Sequence, residues 1–160
     1  MSDPGDFRAP HLRGADFLGV FAVLRRHGAF LMVQNRRVVG GRETLTWDLP
    51  GGQLEPGELL GEALARELRE ETGLEILGRP DFLFYQEGEK VLGGRRAYAW
   101  RSFFFAVHEV RGRLAAAGEV LDVRWVPGDE LLQDPAIPYH TSFREWLAHG
   151  GTSFHCRWVE

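Results

Sequence analysis

Lysine is almost missing from this chain: of 19 basic residues, Lys90 is the only lysine and the rest are arginine. That bias carries no functional message by itself. Cysteine is as scarce, with Cys156 alone, which excludes an internal disulfide framework and agrees with a reducing cytoplasm. No apolar run is long enough to span a bilayer; Phe17 to Leu24, the longest near the N-terminus, is far too short, so no membrane partner is expected. The first sixteen residues also lack the apolar stretch of a signal peptide, and Pro4, Gly5, Pro10 and Gly14 make them read as a loose arm. Excess basic charge is absent too. A net charge of -4 speaks against a surface built to grip nucleic-acid backbone, so no DNA partner is expected. An anionic ligand must then be held by a local device, such as a bound cation or a few placed arginines.

What is present is ordinary for a globular protein: 44% apolar and 26% charged residues over 160 positions, room for one domain, taken as residues 17–160. Phe17 to Arg25 and Ala29 to Gln34 read as a hairpin, Asn35 to Thr46 as a mobile loop, and Trp47 to Gly52 as a short strand entering a glycine turn. Glu58 to Thr72 is the clearest helix, with Pro56 ahead of it and Gly73 placed to end it. Ile76 to Gln86 and Ala97 to Val110 read as long strands joined by a turn over Gly88 to Arg96, and Val120 to Val126 as another strand. A helical turn follows from Pro127, then a helix from Ser142 to His149 and an edge strand from Ser153 to Val159. This order predicts an α/β fold, a mixed β-sheet between helices in an α/β/α sandwich.

The predicted helix carries the chemistry. At 100° per residue, Glu67 and Glu71 share a stripe with Leu60, Ala63 and Leu64, which should face the sheet, while Glu62, Arg66 and Arg69 fall on the solvent side. A solvated Glu-rich helix would keep its carboxylates outward. Carboxylates crowded on the inner face repel one another unless a cation sits among them. Hard oxygen ligands of this kind suit Mg²⁺ or Mn²⁺. Gly51 and Gly52 let backbone approach such a site without a Cβ in the way.

The spacing is complete: Gly52, five residues, Glu58, seven residues, Arg66-Glu67-Leu68, one residue, Glu70-Glu71, one residue, Gly73-Leu74. Drawn at random from this composition, it would arise in roughly one chain in a million. The segment resembles the Nudix box, and Trp47 to Gly52 looks like the family's usual lead-in. The resemblance, over residues 17 to 147, implies a Mg²⁺-dependent hydrolase that splits a diphosphate bond of a small nucleotide, with Mn²⁺ a substitute. It implies the Gly52 carbonyl, Glu67, Glu70 and Glu71 as metal ligands, with Glu58 behind them and Arg66 orienting a neighbouring carboxylate or forming a surface ion pair. Glu67 is the first choice as catalytic base and Glu119 the second, a surface glutamate being the alternative for Glu119; Glu109 is a weaker candidate. Arg36 matches a phosphate-contacting arginine of some members, and His140 falls near a nucleobase-reading position. Phe84, Tyr85, Tyr98, Trp100 and Tyr139 could stack a base or belong to the core. A nucleotide-sensing regulator, an RNA 5′-end pyrophosphohydrolase and an isoprenoid diphosphate isomerase stand as rival readings, and a homodimer through the arm or the last strand is an open expectation.

Overall fold

The computed structural model describes residues 16–39, 41–134 and 140–159. The expected arm therefore lies outside the described residues except for Asp16, whose carboxylate accepts from the Ala99 N–H at 3.1 Å and from Arg101 at 3.2 Å. Tyr139 lies outside them as well.

The central strand is β1 (Phe17–Val23), whose uninterrupted apolar run fits a strand covered on both faces. Its even residues Val20 and Ala22 join one core, and its odd residues Phe21 and Val23 join the other. The first core lies under α1 (Leu60–Thr72), which contributes Ala63, Leu64 and Leu68. The second lies under α2 (Gly128–Gln133) and α3 (Thr141–His149), which contribute Leu131 and Phe143. Helices thus cover both sides of the strands, as the α/β/α reading requires. Leu68 is wholly buried, worth about 2 kcal/mol of transfer energy.

Five strands form the mixed sheet in the order β11 (Ser153–Val159), β7 (Asp81–Leu92), β8 (Arg95–Ala106), β1 and β5 (Gly51–Gln53). β1 runs parallel to β8 and antiparallel to β5; β11 runs parallel to β7 at the edge, where it was expected. A second sheet joins β10 (Asp122–Pro127), β2 (Arg25–Arg26) and β4 (Arg42–Asp48) to β3 (Ala29–Val39), and β6 (Glu75–Leu77) pairs with β9 (Glu109–Arg111).

Several expectations need correction, and the strands expected over 76–86 and 97–110 are each broken in two, into β6 with β7 and β8 with β9. Phe17 to Gln34 is not a simple hairpin: only Arg25 and Arg26 pair back onto Phe30 and Ala29, while β1 belongs to the other sheet. The turn between the long strands is confined to Gly93-Gly94, with pairing out to Leu92 and Arg95. Most consequentially, Asn35 to Thr46 is no loop but the β3–β4 ladder, in register from Val33↔Asp48 to Val39↔Arg42. Its inward residues are polar, so the alternation of apolar and polar residues that signals a strand is missing. Arg37 is buried, donating to Asp48 at 2.8 Å and to Thr46 at 3.1 Å, and Asn35 donates to the same Asp48 oxygen at 2.6 Å. Burial pushes the Asp48 carboxyl up, against the pull of the Arg37 guanidinium. Breaking such a pair strands a buried charge, so Arg37→Ala is expected to cost about 3–5 kcal/mol, read from urea denaturation, and Arg37→Met/Asp48→Leu much less.

Candidate active site

The helix begins later than expected. Glu58 stays outside it because its carboxylate accepts the Glu55 N–H at 2.8 Å across a tight turn. Glu62 then caps the first turn, accepting the Leu59 N–H at 2.9 Å. Gly73, at φ 74°, ends α1 in the left-handed conformation, as expected.

Arg66 does not point to solvent as the helical wheel suggested. Its side chain is only 16% exposed and makes five hydrogen bonds. It grips Glu58 with two of them, at 2.6 and 2.9 Å, and reaches Glu67 at 3.0 Å, Glu70 at 3.2 Å and the Gln53 carbonyl at 3.1 Å. Hydrogen bonding to Arg66, and then to the Glu55 N–H, holds the Glu58 carboxyl down to about 2. The same carboxylates, Glu58 first, keep the guanidinium protonated beyond its ordinary range. Arg66 thus ties the loop before α1 to the carboxylates upon it.

The glycine turn meets the helix from the other side. Gly51 donates its N–H to Glu71 at 3.0 Å, and a Cβ there would lie 2.1 Å from the Val20 carbonyl oxygen. A Cβ on Gly52 would sit 2.7 Å from Oε1 of Glu67. Only glycine lets the strand pass this close to the carboxylates.

Glu119 arrives by a separate route. The last turn of a helix leaves carbonyls without helical partners. Here the Ala115 and Ala117 N–H groups donate to the carbonyls of Thr72 and Glu71, both at 3.0 Å. This docking brings exposed Glu119 to a cleft of about 700 Å³ that it shares with Gln53, Arg66, Glu67, Glu70 and Glu71. Glu109 starts β9 and is not among the residues lining that cleft.

The remaining expected residues lie elsewhere. Arg36 is 60% exposed and pairs with Glu43 at 3.1 Å, so the buried arginine of this strand is its neighbour Arg37, which sequence reasoning passed over. His140 packs on Phe21 at 4.4 Å and Phe104 at 5.6 Å, on the face of β1 turned away from α1. Phe84, stacked on Phe104 at 4.3 Å, and Trp100 are core residues, whereas Tyr85 and Tyr98 are half-buried.

The donor set fits a hard divalent cation by chemistry: carboxylates on one helix face, an open cleft, and a glycine backbone pressed against them. Among the described residues, no group of three or more His, Cys, Asp or Glu side chains already stands close enough to enclose a metal. The carboxylates are instead turned to Arg66 and to the Gly51 N–H.

Comparison with known proteins agrees with this architecture. The model of the NUDIX domain matches residues 17–147, and the chain belongs to the Nudix family of pyrophosphohydrolases. The CTP pyrophosphohydrolase of Escherichia coli (strain K12) is 32% identical over 122 residues, 74% of this chain and 82% of that protein. The human 8-oxo-dGDP phosphatase NUDT18 is 36% identical over 90 residues, 54% of this chain but only 25% of its own. Among solved structures, the MutT protein of Bacillus halodurans superposes with a TM-score of 0.69 at 22% identity, covering 88% of this chain and 90% of its own. The Escherichia coli ORF135 protein does so at 0.64 and 26% identity, covering 81% and 86%.

Burial, and then the charge of Arg37, holds the His140 imidazole down to about 3 from 6.5. Above pH 6.5 both folded and unfolded chains carry it neutral. Below that, the unfolded chain takes up a proton that the folded one refuses, so stability falls as pH drops toward 3. The expected slope from this residue approaches about 1.4 kcal/mol per pH unit, and His140→Gln should remove it, as urea unfolding at several pH values will show. Glu58 acts in a lower window: its contribution is complete above 4.5 and is lost as pH falls through about 2.

Proposed function

We propose that this protein is a Mg²⁺-dependent hydrolase of the cytoplasm that cleaves the diphosphate bond of a nucleoside diphosphate linked to a further group, with nucleoside triphosphates as first candidates. The observation that carries this reading is that Glu67, Glu70, Glu71 and Glu119 line one cleft, with the Gly52 backbone against Glu67. The names of two relatives, for CTP and for 8-oxo-dGDP, support a nucleotide. The net charge of -4 supports a small one. No described helix is long and apolar enough to cross a membrane.

Residues 17–160 act as one domain in this reading. Glu67, Glu70, Glu71 and the Gly52 carbonyl would hold the cation. When bound, Mg²⁺ neutralises phosphate charge and lowers the pKa of its water. Glu67 takes the proton of the attacking water, with Glu119, which lines the same cleft, second in line. Arg66 keeps Glu67 and Glu70 oriented, and Glu58 anchors Arg66. Arg36 and His140, which lie outside the residues lining that cleft, stay in the proposal as the phosphate contact and the nucleobase contact. A second copy of the chain belongs to the proposal as a partner.

The test is Mg²⁺-dependent phosphate release over a panel of nucleoside triphosphates, nucleotide sugars, ADP-ribose, dinucleoside polyphosphates and coenzyme A. Wild type should turn over at least one class. Glu70→Gln/Glu71→Gln should lose more than about 100-fold on it, since even groups one step behind a metal ligand cost 10- to 100-fold. Equal rates for both proteins would contradict the site.

A further inference from the structure

β11 closes the five-stranded sheet on one side, and among the described residues nothing pairs with its outer edge. Open edges are templates for another strand, and sheets usually blunt them by proline, by a bulge or by brevity. Those three are absent here, and the charge that blunts other edges is confined to Arg157 and His155, each turned toward a carboxylate of β7. The strand is seven residues long without proline, and its register with β7 runs unshifted from Ser153↔Tyr85 to Val159↔Val91.

The ladder also has a definite phase. Tyr85 donates its N–H to the Thr152 carbonyl at 3.0 Å. In a parallel pair, the residues that turn both backbone groups to the neighbour alternate along the strand. Phe154, Cys156 and Trp158 therefore face β7 with their N–H and C=O groups, while Ser153, His155, Arg157 and Val159 present theirs outward.

We propose that β11 pairs antiparallel with β11 of a second copy of this chain, about a two-fold axis through Cys156, which joins two five-stranded sheets into one. A symmetric pairing must set outward groups against outward groups, and that leaves few registers. An axis at Arg157 would place the two arginines opposite each other. An axis at His155 would set the two histidines opposite, with Phe154 facing Cys156 and Trp158 facing Thr152. With the axis at Cys156, Phe154 lies opposite Trp158 of the second copy, an aromatic cross-strand pair of the kind that stabilises sheets. On the other face, His155 lies opposite Arg157 of the second copy. Both are already flanked by carboxylates of β7: His155 lies 3.5 Å from Glu87 and Arg157 3.3 Å from Glu89. Each row across the joined sheets then carries carboxylates on the outside and basic groups within. The proposal rests on no reading of the active cleft.

In that register the two Cys156 residues form a non-hydrogen-bonded pair, with Cα atoms about 4.5 Å apart, inside the span a disulfide bridges. This makes the register testable with the full chain in the absence of nucleotide. Sedimentation should show twice the monomer mass at micromolar concentration. Diamide, which takes up the two thiol hydrogens as the S–S bond forms, should then convert wild type to a covalent dimer through Cys156. Arg157→Pro removes an outward N–H at the centre of the pairing and should weaken association by about tenfold or more, a loss of about 1.4 kcal/mol. A chain that sediments as a monomer at every concentration overturns the proposal, as it would if residues 1–15 of the same chain covered the edge. A dimer that diamide fails to link, or that Arg157→Pro leaves intact, also overturns it. None of these outcomes bears on nucleotide hydrolysis, which is measured separately.

Discussion

One guanidinium organises this protein's cleft. Arg66 reaches back to Glu58 and Gln53 ahead of the helix and across to Glu67 and Glu70 upon it, so the loop and α1 share a single charge centre. Without that centre, carboxylates drawn together on the half-buried face of one helix would repel each other. The fivefold grip also orders Gln53, and through it the β5 turn whose glycines press against Glu67 and Glu71. Arginine suits the position because its planar fork can bind one carboxylate with two hydrogen bonds and still reach others.

The remaining architecture serves to keep that centre in place. β1 is buried on both faces, so α1 is braced from below by Val20 and Ala22 while α3 braces the same strand through Phe21. α1 needs partners at its C-terminal end as well, and residues 115–117 supply them. A capping requirement of the helix thereby becomes the means of delivering Glu119, distant in sequence, to the cleft. A second polar centre, Arg37 with Asp48, lies beneath the β3–β4 ladder and close enough to His140 for its charge to help keep that ring neutral.

Much of the candidate site's placement on α1 was legible because its geometry is local. Helical periodicity alone places Glu67 and Glu71 on the inner stripe, and Gly73 marks where the helix must stop. β1, β8, β11 and the first half of β7 were legible for the same reason: their apolar side chains announce the core, whereas β5 and the second half of β7 had been read as turns. Legibility failed where partners are distant or polar. Asn35 to Thr46 looked like a loop because Arg37, Thr46 and Asp48 turn inward to one another, and no apolar alternation betrays the ladder. Arg66 looked exposed because a helical wheel knows nothing of Glu58 lying in front of the helix. Glu119 could be placed at the cleft only by resemblance, since its position depends on a docking contact between residues some forty apart in the chain.

The central claim is that the inward carboxylates of α1, ordered by Arg66, hold a divalent cation. Titration of Mn²⁺ into the nucleotide-free protein, followed by electron paramagnetic resonance, tests it most directly. The account predicts saturable binding by wild type and a loss of affinity of about 10- to 100-fold or more in Glu67→Gln, with the folded state retained. Equal Mn²⁺ affinity in the two proteins would contradict it.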